Sequence, residues 1–279
     1  MPEARRSRAR DLDQFYTRPD VAASCVGLAQ AYVRSRGLSP RLWIEPSAGS
    51  GAFLSNLPEP RLGIDLEPAA PGIEKGDFLD WRPDGPDEGI ITIGNPPFGK
   101  NSSLALRFLN HAGGFSRAVC FVLPRTFEKC SMQRRVAPWL HLAEQHSLGQ
   151  EAFEFEGLPY SVPCVFQIWE RSDELRRIER QAMSHAHFEF TTPDRAEFSL
   201  QRVGARAGLI SDEVLGKAPT SHYFIRQLAP QRDVRAALAG IDWTPIRSRT
   251  AGNPSISKTE VIAAYEESLR SNPGVRAGN

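Results

Sequence analysis

The residues best suited to chemistry in this chain are Asn95-Pro96-Pro97-Phe98. They follow the apolar run 89–94, so we expect them at the C-terminal end of a buried strand. Two consecutive prolines continue neither a helix nor a central strand, and they hold the backbone in a rigid extended turn. Such a turn presents an amide, carbonyl oxygens and a ring, which suits the binding of a planar amine. The plain structural alternative is a strand-ending turn with a core phenylalanine.

A glycine-rich turn follows an earlier apolar run, Leu42-Trp43-Ile44. In the stretch from Glu45 to Phe53, Gly49 and Gly51 allow a sharp turn and a close approach to a ligand, with a helix N-terminus behind them. No third glycine follows at dinucleotide spacing. The carboxylate of Glu45 would repel a pyrophosphate and attract a cationic amino group.

Acidic residues end the next two predicted strands. Asp65 ends the strand 61–66, where a carboxylate can accept hydrogen bonds from both hydroxyls of a ribose. Asp77 and Phe78 end a third short element, where they could pair with an exocyclic amine and cover an adenine face. Together with the glycine-rich turn, these residues describe a pocket for an adenosine that carries a cationic amino-acid tail. That ligand is S-adenosylmethionine.

The set of motifs resembles that of the class I S-adenosylmethionine-dependent amino methyltransferases, and within them the N6-adenine group. Phe15-Tyr16-Thr17 resemble an "FYTP" segment that precedes the fold, although Arg18 interrupts the run before Pro19. The order of the motifs is similar to that called the γ class. The resemblance covers about residues 11–170. It rests on the joint occurrence of the motifs in this order, since any one of them alone is unspecific.

The resemblance implies roles for individual residues. The catalytic, amine-accepting residues would be Asn95, Pro96, Pro97 and Phe98. The cofactor would be held by Phe15, Tyr16, Thr17, Glu45, Pro46, Ala48, Gly49, Gly51, Asp65, Asp77, Phe78 and Asn95. The nucleic-acid substrate would be held by Phe98, Lys100, Arg125 and Lys129. A solvated surface loop is the alternative interpretation of these basic residues.

The predicted reaction is transfer of a methyl group to the exocyclic amine of adenine in DNA or RNA. Phe98 and the segment 13–19 favour adenine over a protein glutamine or the N2 of guanine in ribosomal RNA, the nearest alternatives. A second alternative is a non-catalytic nucleic-acid-binding subunit with the same fold. No recognisable DNA-reading motif follows Arg171, which leaves RNA open as the substrate.

Alternating apolar runs and helical patterns predict the elements that position these motifs. We expect an α/β fold with a doubly wound, mostly parallel seven-stranded sheet, a Rossmann-like methyltransferase fold, followed by a small C-terminal β-rich appendage. The predicted domains are a flexible basic arm over 1–12, the methyltransferase domain over 13–171, and a substrate-recognition or accessory region over 172–279. We also expect a helix, a strand and a second helix over about 131–148, and a charged helix over 173–183.

Composition sets the remaining bounds. The 279 residues are 41% hydrophobic and 24% charged with a net charge of +1, which argues against steering of the whole molecule toward nucleic acid. Of the 34 basic residues five are Lys and 29 Arg, which suits bidentate contacts with phosphate. Four cysteines without close spacing predict neither a metal site nor a disulfide framework. No apolar run approaches the roughly 18 residues of a membrane span and no secretory signal is evident, so we expect a cytoplasmic protein. The sequence does not indicate an oligomeric state.

Overall fold

The computed structural model describes residues 16–85, 87–149, 151–155, 158–178, 181–250 and 252–271. Phe15 and the predicted arm over 1–12 lie outside these residues. The chain divides into two compact units, Met1–Ile178 and Glu179–Asn279.

A seven-stranded sheet forms the centre of the first unit. Its strands are β2 (Leu42–Pro46), β3 (Arg61–Asp65), β4 (Ile73–Lys75), β5 (Ile90–Gly94), β6 (Ala118–Pro124), β7 (Leu140–Ser147) and β10 (Cys164–Arg171). The order across the sheet is β4-β3-β2-β5-β6-β10-β7. The first five strands in that order run parallel, and β10 is antiparallel to both of its neighbours. Every residue of β5 and β6 is buried, as their continuous apolar sequences predict for strands covered on both faces.

Helices cover both faces of this sheet. They are α1 (Pro19–Ser35), α2 (Ser103–Ala112) and the short α3 (Cys130–Gln133). The buried stripe of α1, which includes Cys25 and Ala29, packs in one cluster with Ile91 and Phe166. The buried stripe of α2 packs in a second cluster with residues such as Phe121. The predicted α/β fold with a doubly wound, mostly parallel seven-stranded sheet is therefore confirmed.

A small three-stranded sheet was not predicted. The strand β1 (Tyr16–Thr17) pairs with β8 (Phe153–Phe155), which in turn pairs with β9 (Leu158–Tyr160). The β8–β9 hairpin lies in sequence between β7 and β10. The alternation of phenylalanine and glutamate over 153–156 was its signal in the sequence.

Two helix predictions in the first unit were wrong. None of residues 173–178 and 181–183 is helical, and after the strand β7 residues 148 and 149 form no helix. The side chain of Arg176 explains the first case, because it donates hydrogen bonds to the carbonyl oxygens of Leu140, Gln133 and Val136 at 2.9, 2.9 and 3.1 Å. These bonds tie the segment to residues 133–140, and the Arg176 N–H itself donates to the Pro138 carbonyl oxygen at 2.7 Å instead of to a partner within a helix.

The second unit is a four-stranded antiparallel sheet with helices. The strands are β11 (Phe188–Thr191), β12 (Phe198–Gln201), β13 (Ile210–Ser211) and β14 (His222–Gln227), in the order β11-β14-β12-β13. The helices are α4 (Val234–Ala239), α5 (Thr244–Arg247) and α6 (Lys258–Ser271). The predicted capping box is present, since Ser257 N–H donates to Glu260 at 2.8 Å and Glu260 N–H donates to the Ser257 hydroxyl at 3.2 Å. The expected β-rich appendage is confirmed.

No helix in the described ranges has both the length and the apolar character that crossing a membrane would take.

A candidate active site at the carboxyl ends of β2 and β5

The strand order of the sheet reverses between β2 and β5. These strands are parallel neighbours, with Ile44 opposite Thr92, and the chain leaves them toward opposite sides of the sheet. Ligands in such sheets bind beyond the carboxyl ends of the strands at this reversal. A side chain at Gly94, the last residue of β5, would lie 3.4 Å from the Pro46 carbonyl oxygen. The structure thus brings the glycine-rich turn and the Asn95-Pro96-Pro97-Phe98 turn side by side.

The glycine-rich turn is fastened to the next strand. Ser47, Gly49 and Gly51 have φ angles of 54°, 52° and 78°, in the left-handed region. Gly49 N–H donates to Oδ2 of Asp65 at 2.7 Å, and Ala48 N–H donates to the carbonyl oxygen of Ile64 at 3.0 Å. Asp65 is half-buried at the end of β3, where it was predicted to meet a ribose. Its carboxylate therefore also holds the loop that would contact the same ligand.

Glu45 points into the protein. It is 2% exposed, and its carboxylate accepts hydrogen bonds from the N–H groups of Leu54 at 2.6 Å and Phe53 at 3.3 Å. Burial raises the pKa of Glu45 to about 8, against the opposing effect of these two hydrogen bonds. The carboxyl group of Glu45 caps the 3-10 turn Leu54–Asn56 that follows the loop. The predicted contact of Glu45 with a cationic group remains a prediction.

The strand β1 lies against the glycine-rich turn. A side chain at Gly49 would lie 3.0 Å from Cε1 of Tyr16, so the Tyr16 ring covers this loop. Thr17 is 6% exposed, and its hydroxyl is buried with no hydrogen-bond partner within the described ranges. The segment that resembles "FYTP" therefore contacts the glycine-rich turn, and its Thr17 hydroxyl lacks a hydrogen-bond partner among the described residues.

The turn after β5 is partly buried by neighbouring residues. Pro96 is buried, while Asn95, Pro97 and Phe98 are half-buried, and the side-chain oxygen of Asn95 is enclosed. The ring of Phe98 makes an edge-on contact with the ring of Phe153, at 6.4 Å between centroids. Phe153 was not predicted to belong to the site, and its strand β8 fixes one edge of the Phe98 ring.

The loop that follows this turn is strained and tied to the next strand end. Gly99, Asn101 and Ser102 have φ angles of 66°, 55° and 60°. The Ser102 hydroxyl lies 2.9 Å from that of Thr126, on the 3-10 turn Arg125–Glu128 after β6. Clustered left-handed residues other than glycine persist where the surroundings over-determine them, and this is common at ligand sites.

Phe78 lies in the core instead of at a surface. It is 2% exposed, and its ring packs against those of Phe108 and His111 at 5.3 and 5.1 Å. Asp77 is exposed, and its Oδ1 accepts a hydrogen bond from Leu79 N–H at 2.9 Å. The predicted stacking of Phe78 on adenine remains a prediction, which this packing does not favour.

The basic residues predicted to hold the substrate differ in their surroundings. Lys100 is exposed directly after the Asn95–Phe98 turn, and Lys129 is half-buried. Arg125 forms an ion pair with Glu128, with Nε to Oε2 at 3.1 Å. A phosphate group at Arg125 would therefore compete with a carboxylate of the protein itself.

The site is marked by its turns and not by a metal cluster or a large cleft. Within the described residues, no group of three or more His, Cys, Asp or Glu side chains is placed to hold a metal ion. Two open clefts of about 550 and 510 Å³ lie at the other end of the parallel strands, at their amino ends, near Gly89 and Arg117. None of the residues of the candidate site lines these two clefts.

No protein-family model and no curated protein matches the chain. Solved structures with a similar sheet include a protein of Pyrococcus horikoshii proposed to be an RNA methyltransferase, at 14% identity over 57% of this chain and 87% of that chain, with a TM-score of 0.45. The 23S rRNA methyltransferase ErmE is 16% identical over 60% of this chain and 73% of its own, with a TM-score of 0.40. The magnesium protoporphyrin IX methyltransferase of Synechocystis PCC 6803 is 12% identical over 55% of this chain and 80% of its own, also with a TM-score of 0.40. At these identities and TM-scores, the likenesses assign no function to this chain.

Proposed function

We propose that this chain is an S-adenosylmethionine-dependent methyltransferase that acts on the N6 amine of adenine in nucleic acid. The observation that supports this best is the meeting of two motifs at one point of the sheet. The glycine-rich turn after β2 and the Asn95–Phe98 turn after β5 leave adjacent parallel strands. Their backbones approach so closely that a side chain at Gly94 would lie 3.4 Å from the Pro46 carbonyl oxygen. A ligand in the first turn would therefore lie beside a ligand in the second.

The residues around the glycine-rich turn fit a cofactor of this kind. S-adenosylmethionine supplies an electrophilic methyl group on a sulfonium. The left-handed backbone at Gly49 and Gly51 permits close approach, and the half-buried Asp65 can accept hydrogen bonds from ribose hydroxyls. The Thr17 hydroxyl, which has no hydrogen-bond partner among the residues that the structure describes, offers a hydrogen bond to a polar ligand group. Tyr16 covers the turn and would restrict water there.

The Asn95–Phe98 turn would activate the amine. An aromatic amine is a poor nucleophile because its lone pair is delocalised into the ring. The Asn95 side-chain oxygen and the Pro96 carbonyl would accept its two N–H groups, which favours a tetrahedral nitrogen and stabilises the positive charge that develops there. Phe98 would stack on the base, an interaction of about 1–3 kcal/mol in single-strand binders. A base in a duplex would first have to be flipped out, at a cost of a few kcal/mol.

The same acceptors would also serve a protein glutamine or the N2 of guanine. To distinguish them, the purified protein is incubated with methyl-labelled S-adenosylmethionine and separate pools of DNA, total RNA and protein. Mass spectrometry of the digested products should detect N6-methyladenine in one nucleic-acid pool. Label in protein alone, or in N2-methylguanine, would disprove the choice of adenine. A lack of cofactor binding in calorimetry would instead support a non-catalytic subunit.

A further inference from the structure

The second unit carries a concentration of cations on two loops. We define the basic face as Arg202, Arg206, Arg247, Arg249 and Lys258, on the segments 202–208 and 243–258. Neither segment contains an aspartate or a glutamate. Arg206 and Lys258 are exposed, and the other three are half-buried. The local charge contrasts with the near neutrality of the whole chain, whose net charge is +1.

Backbone hydrogen bonds join the two segments into one surface. Ile256 N–H donates to the Arg202 carbonyl oxygen at 2.8 Å, and Gly204 N–H donates to that of Pro254 at 2.9 Å. The Arg247 guanidinium adds a bond to the Ala207 carbonyl oxygen at 3.2 Å. The two segments that carry the five cations therefore adjoin, although Arg202 and Lys258 are 56 positions apart in the chain.

The two acidic residues that lie nearest to the second segment in sequence accept hydrogen bonds from backbone N–H groups. Asp242 accepts a hydrogen bond from Thr244 N–H at 2.9 Å, and Glu260 accepts one from Ser257 N–H at 2.8 Å. Two arginines elsewhere in the unit form ion pairs with carboxylates, Arg226 with Glu189 at 2.7 Å and Arg235 with Asp212. Within the basic face Arg247 lies near Asp242, since its charge, after the hydrogen bonds from Thr244, helps to lower the pKa of that carboxyl.

Aromatic rings orient two of these cations. The Arg202 guanidinium lies 5.0 Å from the centroid of the Tyr223 ring, and the Lys258 ammonium lies 5.9 Å from that ring and 5.0 Å from the Phe190 ring. Contact with the face of a ring stabilises a cation without using its N–H donors. Nη1 of Arg202 also donates to the Thr220 carbonyl oxygen at 3.5 Å. A guanidinium or ammonium group held beside a ring can bind an anion with several acceptor oxygens, which arginine does in a bidentate manner.

We propose that the basic face binds the phosphodiester backbone of the nucleic acid that serves as substrate. The inference rests on the proposed function for the choice of nucleic acid. Since the net charge of the chain supplies little attraction, a local set of cations has to supply it. Backbone contacts of this kind carry no sequence information, so the face would hold the strand without selecting the target.

The test compares two doubly substituted proteins with the same change in charge. One carries Arg206→Ala and Arg249→Ala, on the basic face. The control carries Arg195→Ala and Arg270→Ala, exposed arginines of the same unit outside it. Fluorescence anisotropy is measured at several salt concentrations with labelled single-stranded RNA and DNA of one sequence. Circular dichroism confirms that both variants are folded.

We expect the basic-face variant to bind more weakly by roughly tenfold or more at low salt, and its salt slope to fall by about 1.4, or about 0.7 for each lost phosphate contact. The control should bind as the unsubstituted protein does. A loss restricted to the RNA or to the DNA would support the proposal and identify the polymer. Equal binding by both variants, or an equal loss in both, would overturn it. If the unsubstituted protein methylates adenine and the basic-face variant binds as well as it does, only this inference is overturned. If the basic-face variant loses binding but the unsubstituted protein methylates nothing, only the proposed function is contradicted.

Discussion

Asn95 follows β5 at the point where the strand order of the sheet reverses, and its side-chain oxygen is enclosed. If this oxygen accepts an N–H of the substrate amine, its loss should raise the energy of the transition state far more than it weakens binding of the cofactor. We expect Asn95→Ala to lower kcat by about 100- to 1000-fold, as for other lost transition-state hydrogen bonds. Cofactor affinity in calorimetry should change far less than kcat.

Asn95→Asp serves as the matched variant, because a carboxylate oxygen can still accept the hydrogen bond. It should retain more activity than Asn95→Ala. Equal activity of Asn95→Ala and the unsubstituted protein would exclude the proposed role of this residue.

Glu45 makes stability depend on pH. Burial raises its pKa from the ordinary 4.5 to about 8, so the folded protein binds the proton more tightly than the unfolded chain does. The stabilising contribution is full below the ordinary pKa and is lost as the pH rises through the folded pKa. Between these values the free energy of unfolding should fall by about 1 kcal/mol per pH unit from this residue.

Urea unfolding of the protein and of Glu45→Gln, at about pH 5 and about pH 8, measures this contribution. The unfolding free energy of the unsubstituted protein, relative to that of Glu45→Gln, should be lower at about pH 8 than at about pH 5. A difference that is constant over this range would show that Glu45 keeps its ordinary pKa.

At the scale of elements, the contact of β1 with the glycine-rich turn has a direct test. Gly49→Ala would place a methyl group 3.0 Å from Cε1 of Tyr16, at a φ of 52°. Gly37→Ala is the control, since its φ is 63° with no atom within 4 Å and it lies far along the chain from the site. Both should lose about 1–2 kcal/mol of stability from the left-handed backbone. Only Gly49→Ala should weaken cofactor binding in calorimetry, and similar affinities of the two variants would exclude a role for this turn.

The segment after β10 depends on Arg176, whose guanidinium donates to three backbone carbonyl groups and lies 5.6 Å from the Trp169 ring. We expect Arg176→Ala to lower the unfolding free energy by about 3 kcal/mol, because buried acceptors would lose charged donors. The neighbouring Arg177 is exposed, and Arg177→Ala should change it by less than about 0.5 kcal/mol. Urea unfolding of both variants measures the difference. Equal values would mean that Arg176 does not hold this segment.

At the scale of the whole molecule, each unit contains its own hydrophobic core. Leu109 belongs to a core cluster of the first unit and Leu238 to that of the second, and both are fully buried. Replacement of either leucine by alanine should cost about 2–5 kcal/mol. Amide hydrogen exchange followed by mass spectrometry should then rise in the seven-stranded sheet for Leu109→Ala and in residues 181–271 for Leu238→Ala. Faster exchange in both units from either substitution would contradict the separation of the cores.

Much of the first unit follows from local patterns. The strands at 42–46, 90–94 and 118–124 were evident because parallel strands buried on both faces are continuous apolar runs. The helix over 173–183 was wrongly predicted because its pattern of charges is helical, whereas Arg176 finds carbonyl groups elsewhere in the fold. The β8–β9 hairpin was missed because its short strands gain their stability from pairing with β1, which is distant in sequence.

By itself, the sequence determined the α/β class, the doubly wound sheet and the turns at its strand ends, because periodicity and proline or glycine chemistry act over a few residues. Only the tertiary structure decided which side chains these turns present. It directs Glu45 inward to cap a turn, places Phe78 in the core and pairs Arg125 with Glu128, while it brings Tyr16 over Gly49 and Phe153 against Phe98. The direction of a side chain is set by packing between elements that are far apart in sequence, and no local pattern contains that information.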